Sequence, residues 1–477
     1  MTPFLAKISR LTMFPLLAAL AACGGGGGDS SSSPATPAAA TLVSIAVTPA
    51  TATIAIGATQ QYVATGTYSD ATTKAVTTSV TWSTTSKFAT IAAATGLATG
   101  TDVGNETVTA TSGTIVSKPV TLTVRGPWSS VAAGGVHTIG LRSNGMLYSW
   151  GWNRSGQLGD GTTVDKSAPV LISSTGTTTW TQVAAGEFHN IALRADGTLW
   201  AWGFNQNGQL GDNTVIDRSV PVKIGKDTNW AYVAAGKSHS LAVKTDGSLW
   251  AWGRNFDGEL GDGTVIDKLV PTRIGTSTNW RTVAAGDTHS LGWQTNGSIW
   301  SWGGNSNGQL GNNTTGTSTN TPGQIGNLTT WVRVAAGASH SMAVRADGYL
   351  FTWGANGNGQ LGSDNQIDLS APTQVGTDHN WDKIAAGSAY SLALKTDGTL
   401  WAWGINDDGE LGDGTLFSTA SPKPVGTAAN WVVIAAGQKH VFATRTDGTL
   451  WGWGRNDEGQ QGNGNTIDVT TPTRIVP

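Results

Sequence analysis

From Trp128 onward the chain alternates short apolar runs with polar punctuation, and the alternation returns every 50 to 52 residues. Its clearest copy is Trp180–Ile224, WTQVAAGEFHNIALRADGTLWAWGFNQNGQLGDNTVIDRSVPVKI. The opening tryptophans are Trp128, Trp180, Trp230, Trp280, Trp331, Trp381 and Trp431. A fixed period of this length marks a structural unit that stacks on its neighbours. Each copy predicts four strands, which in the second copy are Trp180–Ala184, His189–Arg194, Thr198–Gly203 and Pro221–Ile224. Asp196-Gly197 joins the second strand to the third. Asn144-Gly145, Asp246-Gly247, Asn296-Gly297, Asp347-Gly348, Asp397-Gly398 and Asp447-Gly448 hold the same place. These pairs predict two-residue type I′ hairpin turns. Seven sets of four antiparallel strands predict radial blades closing into a β-propeller, because an open stack leaves exposed edges and needs polar caps. Pro472-Thr473-Arg474-Ile475 matches a fourth strand, and nothing equivalent precedes Trp128. The expectation is therefore that this last strand joins a sheet with the first repeat and clasps the ring shut.

The text differs between Thr41 and Val124. Leu42–Val47, Gln60–Tyr68, Ser79–Ser83, Glu106–Thr111 and Val120–Val124 alternate apolar with polar residues, and Gly, Asp and Pro punctuate them. About seven short strands in such a length suggest a sandwich. The string VTWSTTSKFATIAAATGLATG, with GNETVTAT and a closing LTV, resembles the bacterial Ig-like domain of group 2. The resemblance implies a spacer or adhesive module with Trp82 as its core tryptophan.

Before this lies an address. Lys7 and Arg10 precede an apolar run, Leu11–Ala22, too short to span a bilayer. Its end, Leu20-Ala21-Ala22-Cys23, resembles a bacterial lipoprotein lipobox. That resemblance implies acylation of Cys23, and Gly24 rather than Asp after it implies the outer membrane. Gly24–Ala40 is too rich in Gly, Ser and Pro to build a core and reads as a flexible tether. The expected organisation is a signal peptide (1–22), a lipidated cysteine and tether (23–40), an Ig-like β-sandwich (41–125) and a seven-bladed β-propeller (126–477), all-β throughout.

Composition changes this picture little. Charged residues make up 12% and net charge is −3, with no basic patch, so nucleic acid is not an expected partner. Cys23 is the single cysteine, which rules out an intramolecular disulfide. Of 22 tryptophans all but Trp82 lie in the repeats, and so require a packing explanation first.

The in-phase pattern AAGxxHSxALxxDGxLWxWGxNxxGQLG resembles the repeat of the regulator of chromosome condensation family, over residues 128 to 477. The family fold is a seven-bladed propeller, in agreement with the copy number. Its eukaryotic namesake is a guanine-nucleotide exchange factor that uses an inserted wedge. These repeats differ by at most two residues in length and hold no such insertion, so exchange activity rests on the resemblance alone. The family's secreted bacterial branch, which includes a protein inhibitor of β-lactamase, is the nearer analogy of fold and location.

Two recurrent sets invite chemistry. His137, His189, His239, His289, His340 and His440 share one position, with Tyr390 standing in the sixth copy. A metal ring is the sharp reading. A structural hydrogen bond made once per blade is the plainer one, since equivalent atoms on separate blades rarely converge on one ion. Trp150, Trp202, Trp252, Trp302, Trp353, Trp403 and Trp453 also share a phase, which suits packing between blades better than sugar platforms. Gly357-x-Gly359-x-x-Gly362 fits a dinucleotide fingerprint without its strand–helix context. The GQLGDGT loops read as turn chemistry and lack calcium-loop spacing. With no hydrolase elbow, P-loop or zinc motif, the chain is read as a binding protein and not an enzyme, with no cofactor and no metal.

Departures from the repeat are more informative. With strands alternating in direction, the loops after first and third strands share one face, and that face varies. It offers Trp152, Glu187, Phe188, Phe204, Lys237, Arg254, Phe256, Asp287 and Arg455 as candidate contacts, aromatics beside charges as interfaces use them. The expected function is that of a monomeric cell-envelope lipoprotein, lipid-anchored at the outer membrane, whose propeller binds an unknown protein through this face. The alternatives are a carbohydrate- or peptidoglycan-binding adhesin, a lyase or hydrolase of the propeller type, and an exchange factor by resemblance only.

Overall fold

A computed structural model describes residues 39–172 and 178–475. Cys23, the leader and nearly all of the tether lie outside the described residues. Among those described, strands are the only regular element.

Residues 42–125 form the sandwich. Leu42–Thr48, Val63–Tyr68 and Thr73–Ala75 make one sheet, and Val120–Arg125 lies between Gly104–Ser112 and a parallel neighbour, Thr51–Ala55, in another. Alternation buries Tyr62, Ala64, Val108 and Leu122. Trp82 is in that core, its indole N–H donating to the Thr77 carbonyl at 2.9 Å.

The repeats form seven four-stranded sheets, each in the order first, second, third, fourth strand. The second blade consists of Trp180–Ala185, His189–Arg194, Leu199–Gly203 and Arg218–Ile224. The first strands surround the axis, where Ala-Ala-Gly segments of all seven blades line one central cavity. Small residues are needed there because the blades converge. A Cβ on Gly186 would stand 2.5 Å from the Gly236 carbonyl of the next blade.

Two expectations need correction. The hairpin turn is not type I′. Gly197 N–H donates to the Arg194 carbonyl, Arg194 N–H to Thr198, and Gly197 (φ +75°) has positive φ where Asp196 does not. This is a three-residue loop with glycine in the left-handed position. Asp196 stays at negative φ because its carboxylate caps the turn, accepting from Thr198 N–H at 3.1 Å and its hydroxyl at 2.6 Å.

The clasp is also absent. Val469–Arg474 pairs antiparallel with Leu450–Gly454 of its own repeat, and each blade draws its four strands from one repeat. The ring closes by the contacts that join every other pair of blades. Gln438 N–H donates to Gly134, Trp128 N–H to Gly448 and Gly464 N–H to Ser167. The terminal segment contributes by packing, with Ile475 buried among Trp128, Tyr148, Trp150 and Phe442.

Candidate functional site

The recurrent histidines and tryptophans meet at the seams between blades. His189 Nε2 lies 3.0 Å from Ser240 Oγ of the next blade. Ser240 in turn donates to the Gln209 carbonyl of blade 2, the blade of His189 itself, at 2.8 Å, and Trp252 Nε1 donates to that same carbonyl at 2.9 Å. Since the hydroxyl proton is committed to the carbonyl, Nε2 carries the hydrogen that Ser240 accepts. The relay repeats through Asn190, Ser290, Ser341, Ser391 and, where blade 7 meets blade 1, Thr138. His137, His189, His239, His289, His340 and His440 are wholly buried. Burial pulls their rings down to about 3 or 4, so they are neutral near pH 7.

The sixth seam departs from this in a matched way. Tyr390 replaces histidine and Val441 replaces the hydroxyl residue. The longer phenol reaches over, donating to the carbonyls of Gly437 at 3.0 Å and His440 at 2.9 Å. Trp150, Trp202, Trp252, Trp302, Trp353, Trp403 and Trp453 are all 0% exposed, each giving its indole N–H to a carbonyl of the preceding blade. Both recurrent sets therefore hold blades together.

These seams fix the variable loops. Next to each Ala-Ala-Gly, the seven blades set Gly135, Glu187, Lys237, Asp287, Ala338, Ser388 and Gln438 around the mouth of the axial cavity, about 170 Å³ in volume. Main-chain bonds link neighbours, as from Gly135 N–H to Glu187 O at 3.0 Å. Lys237 stands between Glu187 at 3.7 Å and Asp287 at 3.8 Å. Burial pushes the Asp287 carboxyl up, against the pull of Lys237. Gln438 reaches over the side-chain-free Gly135 to donate to Glu187 at 2.8 Å. No pattern within one repeat could reveal that brace, which joins blades 7 and 2.

Outside the charged half of the mouth lies an aromatic group. Trp152 and Phe188 have ring centroids 4.9 Å apart, and Phe188 and Phe204 6.4 Å apart. All three are half-buried. Arg254 pairs with Asp257 at 2.9 Å and with the buried Glu259 at 2.6 Å, and lies over Phe256, which is 74% exposed. Lys237, Arg254, Asp287 and Asn207 share a cleft of about 340 Å³. Eight of the nine candidate contacts thus fall on blades 1 to 4. Arg455 stands on blade 7, paired with Asp457, near a separate Lys439–Asp408 pair at 2.6 Å.

Two features were not anticipated. The loops after the third strands are indeed built by turn chemistry. Asn205 Oδ1 accepts from Leu210 N–H, its Nδ2 donates to Asp212 and to carbonyls of Thr214 and Ile216, and Asp212 caps Thr214. They also present apolar side chains to water, including Ile216, Ile266, Ile367, Phe417 and Ile467. The signal was visible as one in-phase apolar position, Val164, Ile216, Ile266, Ile367, Phe417 and Ile467, with Gly316 in blade 4. The other feature is Glu410. Gln157, Gln209, Gln309, Gln360 and Gln460 occupy its place in most blades, and in blade 3 Glu259 has Arg254 as partner. In blade 6 Ile405 holds the place of Arg254. Glu410 is 0% exposed, its Oε2 accepts from Asp408 N–H at 2.9 Å, and its Oε1 has no partner among the described residues. Burial raises its carboxyl to about 7.

Residues 216–477 match the family model of the RCC1-like domain, and residues 128–157, 144–193 and 180–209 match models of the regulator of chromosome condensation (RCC1) repeat. Residues 42–124 match the bacterial Ig-like domain (group 2). Among curated relatives, the ultraviolet-B receptor UVR8 of Arabidopsis thaliana is 39% identical over 93 residues, 20% of this chain and 21% of that protein. The mitochondrial RCC1 domain-containing protein RUG3 of the same plant is 36% identical over 110 residues, 23% of this chain and 24% of its own length. The chain thus spans under a quarter of the length of these relatives. Among solved structures, Prp20p from Saccharomyces cerevisiae, described with its binding to Gsp1p and histones, is 26% identical with a TM-score of 0.64, over 69% of this chain and 85% of that one. Human WBSCR16 is 24% identical with a TM-score of 0.62, over 71% and 92%.

Proposed function

The chain belongs to the RCC1-like domain family, and from that premise we propose that its propeller is a scaffold that binds a protein through the variable face of blades 1 to 4. The observation that carries the reading is the Trp152–Phe188–Phe204 group set beside the Glu187–Lys237–Asp287 chain. Aromatic side chains next to partly buried charges supply both the area and the orientation that protein interfaces use. The aliphatic positions on the same side extend the apolar area available to a partner. Prp20p, which shares the fold at 26% identity, is described as binding Gsp1p and histones, which makes protein recognition a precedent on this scaffold.

The test is capture of proteins from native envelope extract on the intact chain, with and without competing saccharides, and with Phe188→Ala/Phe204→Ala as control. One stoichiometric protein is expected, and the double variant should bind it about 30-fold or more weakly, the loss of an interface hot spot of about 2 kcal/mol. Its melting temperature should stay near that of the parent, because both rings are half-buried. Retention of full affinity by the variant would refute this face, and glycan released by saccharide would transfer the reading to an envelope adhesin.

The same proposal places the protein at the outer membrane through acyl chains on Cys23, with residues 24–40 as tether. Two or more chains give stable anchoring where one is marginal. Growth with an alkyne-bearing fatty acid should label the parent and leave Cys23→Ser unlabelled and released from the membrane fraction. Equal labelling of both would remove the anchor from the proposal.

A further inference from the structure

Blade 1 contains a buried cation that the rest of the ring would neutralise. The second strand of a blade ends at Arg142, Arg194, Lys244, Gln294, Arg345, Lys395 or Arg445, and the turn residue two places on is Asn144, Asp196, Asp246, Asn296, Asp347, Asp397 or Asp447. In blades 2, 3, 5, 6 and 7 a cation is followed by an aspartate. Lys244 and Lys395 add further acids, Asp227 at 2.6 Å and Asp378 at 2.7 Å. In blade 4 both positions are neutral. Blade 1 alone combines the cation with asparagine.

Arg142 is only 4% exposed. It stacks on Trp128, with its guanidinium carbon 3.9 Å from the ring centroid, and one Nη donates to the Gly126 carbonyl at 2.6 Å. Its Nε and other Nη find no acceptor among the described residues, and neither does Nε of Arg125. Arg125 approaches the opposite partner, Tyr148, at 5.4 Å, so two cations crowd one aromatic pair. Burial first, and Arg125 besides, hold the Arg142 guanidinium down at about 10, still charged at neutral pH. An uncompensated buried cation is costly.

Both arginines stand in the wall of a cavity of about 540 Å³ where the sandwich meets the propeller. Ile54 and Ile56 of the sandwich, with Pro127, Leu450 and Ile475 of the propeller, make the rest of the wall largely apolar. Arg474 adds a third cation. Asp447 is the acid in this wall, and as the turn aspartate of blade 7 it faces Arg445 and Arg474, which share its charge. A volume of this size suits a small molecule.

We propose that this junction binds a small organic anion, its carboxylate or phosphate against Arg125 and Arg142 and its apolar body along Ile54, Ile56 and Ile475. Arginine pairs with either headgroup through parallel N–H donors. The ligand would supply to blade 1 the charge that an aspartate supplies to five other blades.

Calorimetry on the full chain, with octanoate, octyl phosphate and neutral 1-octanol as probes, tests this. At least one anion should bind saturably, and octanol about ten-fold or more weakly. Asn144→Asp restores the acid of the other blades and should weaken the anion about ten-fold while raising the melting temperature of the unliganded protein. Arg125→Gln, which leaves the Arg142 packing intact, should weaken it by a similar factor. No saturable binding of either anion up to about 10 mM would overturn the proposal. So would octanol binding as tightly as the anions, which would leave a merely apolar cavity, or unchanged anion affinity in both variants.

Discussion

Replacing Trp302 by alanine is expected to destabilise the propeller by about 3–5 kcal/mol, the range for removing a fully buried large aromatic. Trp302 is 0% exposed and packs with Leu241, Leu260, Ile274 and Trp280 across the seam between blades 3 and 4. The substitution vacates that volume and also removes the N–H that donates to the Glu259 carbonyl at 2.8 Å. The carbonyl keeps its second donor, Ser290 Oγ at 2.7 Å, so most of the loss is packing. Trp302→Phe, which keeps an aromatic ring but no donor, should lose less than half as much. Trp152→Ala gives the contrast, since this indole is half-buried on the variable face and should cost about 1 kcal/mol or less. Denaturant melts of the three variants check the ordering. A loss under about 1 kcal/mol at Trp302 would mean that the seam relaxes to fill the space, and that the recurrent tryptophans do not secure the ring.

Glu410→Gln is expected to stabilise the protein by about 2–3 kcal/mol at pH 8 and to change it little near pH 4.5. The Glu410 carboxyl titrates at about 7 in the folded chain, against 4.5 for the ordinary side chain. Between these values the folded chain keeps a proton that the unfolded chain has released. The stability associated with this group is thus fully present below pH 4.5, declines as pH rises through 7, and is flat above. A shift of that size corresponds to about 3 kcal/mol at most. Glutamine retains the shape and the acceptor for Asp408 N–H, and is the residue of five other blades. Unfolding melts of parent and variant at pH 4.5, 6, 7 and 8 should diverge progressively. Parallel curves would show that Glu410 finds a partner or water that neutralises its burial. Glu259 makes the internal control. Its Arg254 partner lies 2.6 Å away, so Glu259→Gln breaks a partly buried ion pair, leaves Arg254 with Asp257 alone, and should destabilise where Glu410→Gln stabilises.

The period of the tryptophans, the in-phase histidines and the Gly-containing turns determined the architecture, the number of blades and the division into two faces. This was legible because each repeat is a local unit whose burial pattern is written within about fifty residues. The structural role of the two recurrent sets was legible for the same reason, as a position filled in every blade serves the ring as a whole. The turn type was not, because Asp196 has a choice between positive φ and capping Thr198, and hydrogen-bond geometry settles it. Nor was ring closure. Side-chain bonds from His440 to Thr138 and from Trp150 to Gln460 close the seventh seam as they close the others, so the terminal strand need not be shared with the first repeat.

What lay furthest from the sequence were contacts whose partners are distant in the chain. The Gln438–Glu187 brace and the Trp152–Phe188 contact each depend on which neighbour a blade happens to face, and the crowding of Arg142 by Arg125 depends on the chain that enters from the sandwich. Sequence by itself determined the unit and its repetition, because backbone hydrogen bonding and alternation are local. The tertiary structure alone decided which departures from the repeat meet one another, because closing the ring brings together residues that share no period. At those meetings the charge of one side chain is either answered by a neighbour or left standing.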